Sequence, residues 1–149
     1  MEKKEYWVNE RTPENLIRNY LLRNADSVRL TNIQWTDIFK FKKYGTENDP
    51  IFLKTINNLK GDFIKKSKDD GYWYYYFRLS AKLKSIFNKE TLFWGATPSY
   101  SKNFYALEDP TFYKRKIIIG RIITHERIVS LYLTNTEKEN LERKNINFN

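Results

Sequence analysis

The sequence has no cysteine, and only one methionine and one histidine. Without cysteine there can be no disulfide, thiolate zinc site or cysteine nucleophile, and a reducing compartment is the natural setting. Glycine is scarce at five residues and proline scarcer at four. That leaves almost nothing from which to build a phosphate-cradling loop, and neither a glycine-rich nucleotide motif nor a Gly-x-Ser-x-Gly elbow occurs. Histidines or carboxylates paired at metal-ligand spacing are also missing, so neither a metal nor a cofactor is expected. The longest apolar stretch, around Ile117–Ile123, is broken by Gly120 and Arg121, far short of a membrane span. The first ten residues are charged and hold no signal-peptide core. A cytoplasmic protein without membrane contact is expected.

What is abundant is aromatic and basic. Aromatic residues make up 17% of the chain, with eleven Tyr, ten Phe and four Trp. Each buries a large area, so few of them suffice for a core. With 149 residues the chain has the size of one domain. A single α+β domain over residues 1–149 is expected. Eighteen lysines and fifteen asparagines suit an AT-rich coding genome, as in low-GC bacteria and their phages and plasmids.

The net charge of +9 is uneven. Residues 38–89 carry twelve basic against five acidic side chains and so hold +7 of it. Clustering of this kind is the electrostatic footprint of a surface that meets a polyanion. The alternative is that the lysines keep an aromatic chain soluble.

Local signals outline the elements. Thr12 as cap, Pro13 at the first position and Glu14 in the first turn open a helix with Leu16, Ile17, Tyr20 and Leu21 on one face. It ends between Asn24 and Ser27. Val28 and Leu30 alternate like a strand, and Trp35, Ile38 and Phe39 keep the spacing of a short helix that Gly45 would terminate. Asp49 and Pro50 open a third helix, with Phe52, Ile56, Leu59 and Phe63 inward and Lys54, Asn58, Gly61, Lys65 and Lys68 on the opposite stripe. Lys68-Asp69-Asp70-Gly71 is a turn, followed by a strand from Tyr72 to Leu79.

That strand has one face of Trp73, Tyr75, Phe77 and Leu79, the better core face, and another of Tyr72, Tyr74, Tyr76 and Arg78. Ser80 caps a short helix with Leu83, Ile86 and Phe87 inward and Lys82, Lys84 and Lys89 outward. Residues 91–113 read as irregular. Lys114-Arg115-Lys116 opens a strand through Ile123, which turns near Thr124-His125-Glu126 into a second strand with Val129, Leu131 and Leu133 on one face. Thr136 and Glu139 form a capping box for a last helix to about Lys144, and Ile146–Phe148 adds a short edge strand. The stretch 114–149 is thus a hairpin plus a helix.

In order of parts, Val28–Leu79 resembles a winged helix-turn-helix. A short helix precedes a longer one with a basic outer stripe, then a glycine-containing turn and a strand suited to a wing. The resemblance implies that the longer helix enters the DNA major groove, with Lys54, Asn58, Lys65 and Lys68 facing DNA and Asp69–Arg78 forming the wing. A second mode needs no groove helix. Tyr72, Tyr74 and Tyr76 would stack unpaired bases while Arg78, Lys82 and neighbouring lysines neutralise phosphates. Against this stands burial of the same rings under a second layer.

The one histidine, His125, lies beside Arg127. A small metal-independent ribonuclease would use such a pair as base and phosphate clamp, with the two on one face of a strand and Glu126 on the other. Otherwise His125 sits at a hairpin tip without chemistry. The expected function is non-enzymatic binding of nucleic acid, DNA before RNA, through the residue 40–89 surface. An acidic protein surface is the alternative partner, as for a phage anti-defence or toxin-neutralising inhibitor.

Overall fold

In the computed structural model, which describes residues 2–89 and 103–149, seven antiparallel strands form one sheet. The elements run β1 (Lys4–Trp7), α1 (Glu14–Asn24), β2 (Ser27–Asn32), β3 (Trp35–Asp37), β4 (Lys42–Tyr44), α2 (Pro50–Leu59), β5 (Phe63–Asp69), β6 (Tyr72–Arg78), α3 (Ala81–Lys89), β7 (Leu107–Lys114), β8 (Ile117–Ile123), β9 (Ile128–Leu133) and α4 (Asn135–Arg143). The sheet order is β1-β9-β8-β7-β2-β6-β5, and β3 and β4 make a separate two-stranded hairpin. The chain is therefore α+β and rich in sheet. None of the helices among the described residues is long and apolar enough to cross a membrane.

Period-two alternation decides which face is dry. Val28 pairs with both Phe77 and Phe112, and Leu30 with Tyr75. Gly120 pairs with Phe112 and Leu131, and Ile122 with Val129. Apart from Gly120, all these residues belong to the hydrophobic core. The helices pack on this same face. Leu21 of α1 comes so close that a Cβ on Gly120 would lie 2.6 Å from its Cδ2. Phe52 of α2 meets Tyr75 edge-on at 5.8 Å, and Phe87 of α3 packs 4.8 Å from Phe104 and 5.6 Å from Phe112. Each fully buried Phe contributes about 1.5–3 kcal/mol.

Several elements differ from the sequence reading, each for a local reason. Thr12 caps nothing. Pro13 precedes the first turn of α1, and the buried Thr12 hydroxyl instead accepts from Asn147 N and donates to Asn147 O, tying the C-terminal end to the N-terminal one. The expected short helix at Trp35–Phe39 is the β3–β4 hairpin, in which Trp35 lies across from Tyr44 and stacks on its ring at 5.4 Å. Ile38 and Phe39, which carried the helical spacing, are exposed and bury nothing. Gly45 ends no helix. Its φ of +78° is left-handed, and a Cβ there would fall 2.4 Å from the Ile33 carbonyl oxygen, so only glycine fits.

The third helix ends at Leu59, and after one turn of 3-10 helix (Lys60–Asp62) the chain enters β5. Phe63, read as the last core position of that helix, pairs with Phe77 across β5 and β6 instead. The turn that follows is Asp70-Gly71, both at positive φ, the two-residue geometry that matches strand twist. The segment Val28–Leu79 thus holds one helix between strands, not the consecutive helix pair that carried the winged-helix resemblance.

Residues 107–113, read as irregular, are strand, whereas 90–102 lie outside the described residues. Pro110 hid this strand. It is tolerated in a central position because the β2–β7 register shifts there, a bulge in which Asp109 takes φ +52°. Lys114 closes β7, and Arg115-Lys116 form the tight turn to β8, both at positive φ without glycine. Asp26 supports that turn by accepting from Arg115 N. The capping box is Thr134 with Glu137, two residues earlier than Thr136 and Glu139. The edge segment at the C-terminal end is a single bridge from Phe148 to Val8, and β1 was missed.

Candidate nucleic-acid interface

The sheet face opposite the helices carries the polar partners of the alternation, and among the described residues no helix packs on it. Reading across β5, β6, β2 and β7, one row is Lys65, Tyr76, Arg29 and Thr111. The row beside it is Ser67, Tyr74, Thr31 and Glu108. Further toward the β7–β8 turn, Arg78, Ser27 and Tyr113 align.

Arg29 is central to this face. Its guanidinium stacks 4.5 Å from the Tyr74 ring centroid, and Nη2 donates to Thr111 Oγ1 at 3.2 Å. No carboxylate pairs with it among the described residues, and its buried Nε has no hydrogen-bond partner there. A cation held against a ring, without a carboxylate partner among the described residues, has the chemistry to receive an anion. Lys65 Nζ lies 4.8 Å over Tyr76, whose ring meets Tyr113 at 6.3 Å. Burial raises the Tyr113 hydroxyl above its ordinary pKa, and the nearby Arg29 charge opposes that rise.

Next to this row lies a cavity of about 320 Å³, lined by Ser27, Ile64, Lys65, Tyr76, Tyr113 and Lys116. It offers two ammonium groups and three hydroxyls with no acid in its wall. The left-handed Arg115-Lys116 turn is what sets Lys116 at its rim. Two other basic side chains of the sheet are already paired: Arg121, like Ser130, donates to Glu5 Oε2, and Arg78 lies 3.5 Å from Asp62. Burial alone would raise Glu5, but hydrogen bonds from Ser130 and Tyr132 and the Arg121 charge hold its carboxyl below the ordinary value.

The structure splits the expected binding residues. Lys65, Tyr72, Tyr74, Tyr76 and Arg78 lie on the helix-free face, with Tyr72 exposed and Tyr74 and Tyr76 half-buried. Lys54 and Asn58 ride on α2, and Lys82 on α3 reaches the Asn58 carbonyl, so these three belong to the helix side. Lys68 pairs with the core-side Trp73 and lies 5.8 Å over its ring. Lys54 and Asn58 of the expected stripe stay on α2, while Lys65 and Lys68 fall on opposite faces of β5, because a strand alternates where a helix would not.

Arg29, Tyr113 and Lys116 were missed in sequence. Arg29 sits between Val28 and Leu30, and its place in that alternation was the available signal. The β3–β4 hairpin adds exposed Ile38, Phe39 and Phe41 among Lys40, Lys42 and Lys43. It follows directly from the end of β2, where Asn32 pairs with Leu107.

His125 lies in the tight turn Thr124–Arg127, so it shares no strand face with Arg127. Its Nε2 is 2.6 Å from Oε2 of Glu108, a carboxylate with no solvent exposure, while the imidazole remains 58% exposed. Among the described residues, no group of three His, Cys, Asp or Glu side chains is placed to hold a metal ion. Compared with models of protein families, with curated proteins and with solved structures, the chain matches none of them.

Proposed function

We propose that this chain binds single-stranded nucleic acid across the helix-free face of its sheet. The observation that carries the reading is Arg29, stacked on Tyr74 and without a carboxylate, beside a cavity walled by Lys65 and Lys116. Phosphates fit the cationic sites, and bases stack on the half-buried tyrosines, which accept any base because every base has a π-face. A flat row of this kind suits splayed bases and not a groove, so single strands are preferred over duplex DNA. The hairpin residues Phe39 and Phe41 with their flanking lysines extend the contact at one end of the sheet.

The test is fluorescence anisotropy with labelled single-stranded RNA, single-stranded DNA and duplex DNA, each titrated at several salt concentrations. Tight single-strand binding with a steep salt slope supports the reading, since released counterions set that slope. If no polyanion binds at low salt, the reading is wrong and an acidic protein surface becomes the partner to seek.

A further inference from the structure

The helix-free face also carries a feature that binding does not need. Glu108 is a carboxylate in the middle of a sheet, wholly removed from solvent. Burying such a charge is costly, and buried carboxylates beside a titratable partner gather at chemical sites. Its position comes from an unusual stretch of backbone. Ala106 and Asp109 both take left-handed φ, at +62° and +52°, and Pro110 sits in the register shift between Arg29 and Thr31. Strained residues and bulges of this kind re-aim side chains next to active sites. Here the bulge puts Glu108 opposite Thr31 while Thr111 stays opposite Arg29, so that both point to the same face. Asp109 Oδ1 accepts from Thr124 N at 2.8 Å, which anchors the turn carrying His125.

The outcome is an exposed imidazole whose Nε2 lies 2.6 Å from a buried carboxylate, next to the row that holds Tyr74 and one row from Arg29. Rows two residues apart along a strand lie roughly 7 Å apart, and neighbouring strands about 4.8 Å. A phosphodiester bound by Arg29 therefore lies within a nucleotide's reach of His125. We propose that His125 is the general base of an RNA-cleaving centre, with Glu108 as its positioning residue and Arg29 as the group that stabilises charge on the phosphate. This rests on the binding reading above and adds a reaction to it.

The step balances without a further reagent. His125 takes the proton of a ribose 2′-hydroxyl, and the 2′ oxygen forms a bond to the adjacent phosphorus as the bond from phosphorus to the 5′ oxygen breaks. The departing 5′ oxygen takes a proton from solvent, and the imidazole later returns its own to solvent. The products are a 2′,3′-cyclic phosphate and a 5′-hydroxyl end. Arg29 matches the growing charge on the equatorial oxygens from a site it already occupies, so nothing has to reorganise. A strand lacking the 2′-hydroxyl can bind but cannot react.

The experiment uses the full chain, a labelled single-stranded RNA and its all-deoxy counterpart, in buffer with EDTA. Anisotropy on the deoxy strand reads binding, and mass spectrometry of the RNA reads cleavage and end chemistry. Wild type is expected to cut RNA to cyclic-phosphate ends while leaving the deoxy strand bound and intact. His125→Ala, a change at an exposed turn, should slow cleavage by about 10²-fold or more with binding to the deoxy strand unchanged. Glu108→Gln should lower kcat with KM unchanged, and a thermal melt checks that this variant is folded. RNA that is bound but never cut, or His125→Ala cutting as fast as wild type, overturns the catalytic proposal and leaves binding standing. If neither strand binds, the binding reading falls with it.

Discussion

Replacing Lys65 and Lys116 together by alanine separates the two faces of the molecule most sharply. Both line the same cavity and neither has a carboxylate partner among the described residues, so each is free to meet a phosphate. On a single strand each lost contact lowers the slope of log affinity against log salt by about 0.7, or about 1.4 for the pair. Between 50 and 200 mM salt, the advantage of wild type over the variant should therefore shrink by about sevenfold. The fold should tolerate the change. Lys65 is exposed, and its contact with Tyr76 is worth about 0.5–1 kcal/mol. Anisotropy with one labelled strand at four salt concentrations provides both slopes. The control is Lys54→Ala with Lys82→Ala, the same loss of charge on the helix side, where the slope should not move. A flattened slope in the control and an unchanged one in the cavity variant would refute the assignment and return the binding surface to α2.

Three further outcomes are expected. Phe39→Ala with Phe41→Ala should weaken single-strand binding by about 1–3 kcal/mol per lost stack in anisotropy. Because both rings are exposed, calorimetry should find stability within about 0.5 kcal/mol of wild type. Gly45→Ala should destabilise by about 2–5 kcal/mol in urea unfolding, since its φ is +78° and the new Cβ would press on the Ile33 carbonyl. Acid should unfold the protein partly through Glu5. Its folded pKa is depressed, so its contribution is complete above the unfolded value near 4.3 and is lost as pH falls through the folded one. Glu5→Gln, less stable at neutral pH, should show a shallower loss of stability below about pH 4.3.

The shift in the expected binding surface has a simple origin. Residues 54–68 read as carrying one helical stripe because Lys54, Asn58, Gly61, Lys65 and Lys68 recur at helical spacing after a good N-cap. In the structure Asp49 does cap α2, accepting from Ile51 N, yet the helix stops at Leu59. Beyond it the chain gains more by adding β5 to the edge of β6, where Phe63 reaches both Tyr75 and Phe77. Propensity is a weak prior against that packing.

Local chemistry determined a good deal by itself. The absence of cysteine, the concentration of charge in residues 38–89, the turn at Asp70-Gly71 and the alternation of Tyr72–Arg78 with Tyr75 and Phe77 inward could all be read from neighbours in the chain. A two-residue turn and a period of two need no distant partner. The site could not be read in that way. Arg29 meets Tyr74 and Thr111, 45 and 82 positions along, and His125 meets Glu108 only because a bulge at a proline turns that carboxylate onto the same face. Pairings between strands far apart in sequence are set by which faces bury together. That choice belongs to the folded sheet and leaves no mark in any single window of residues.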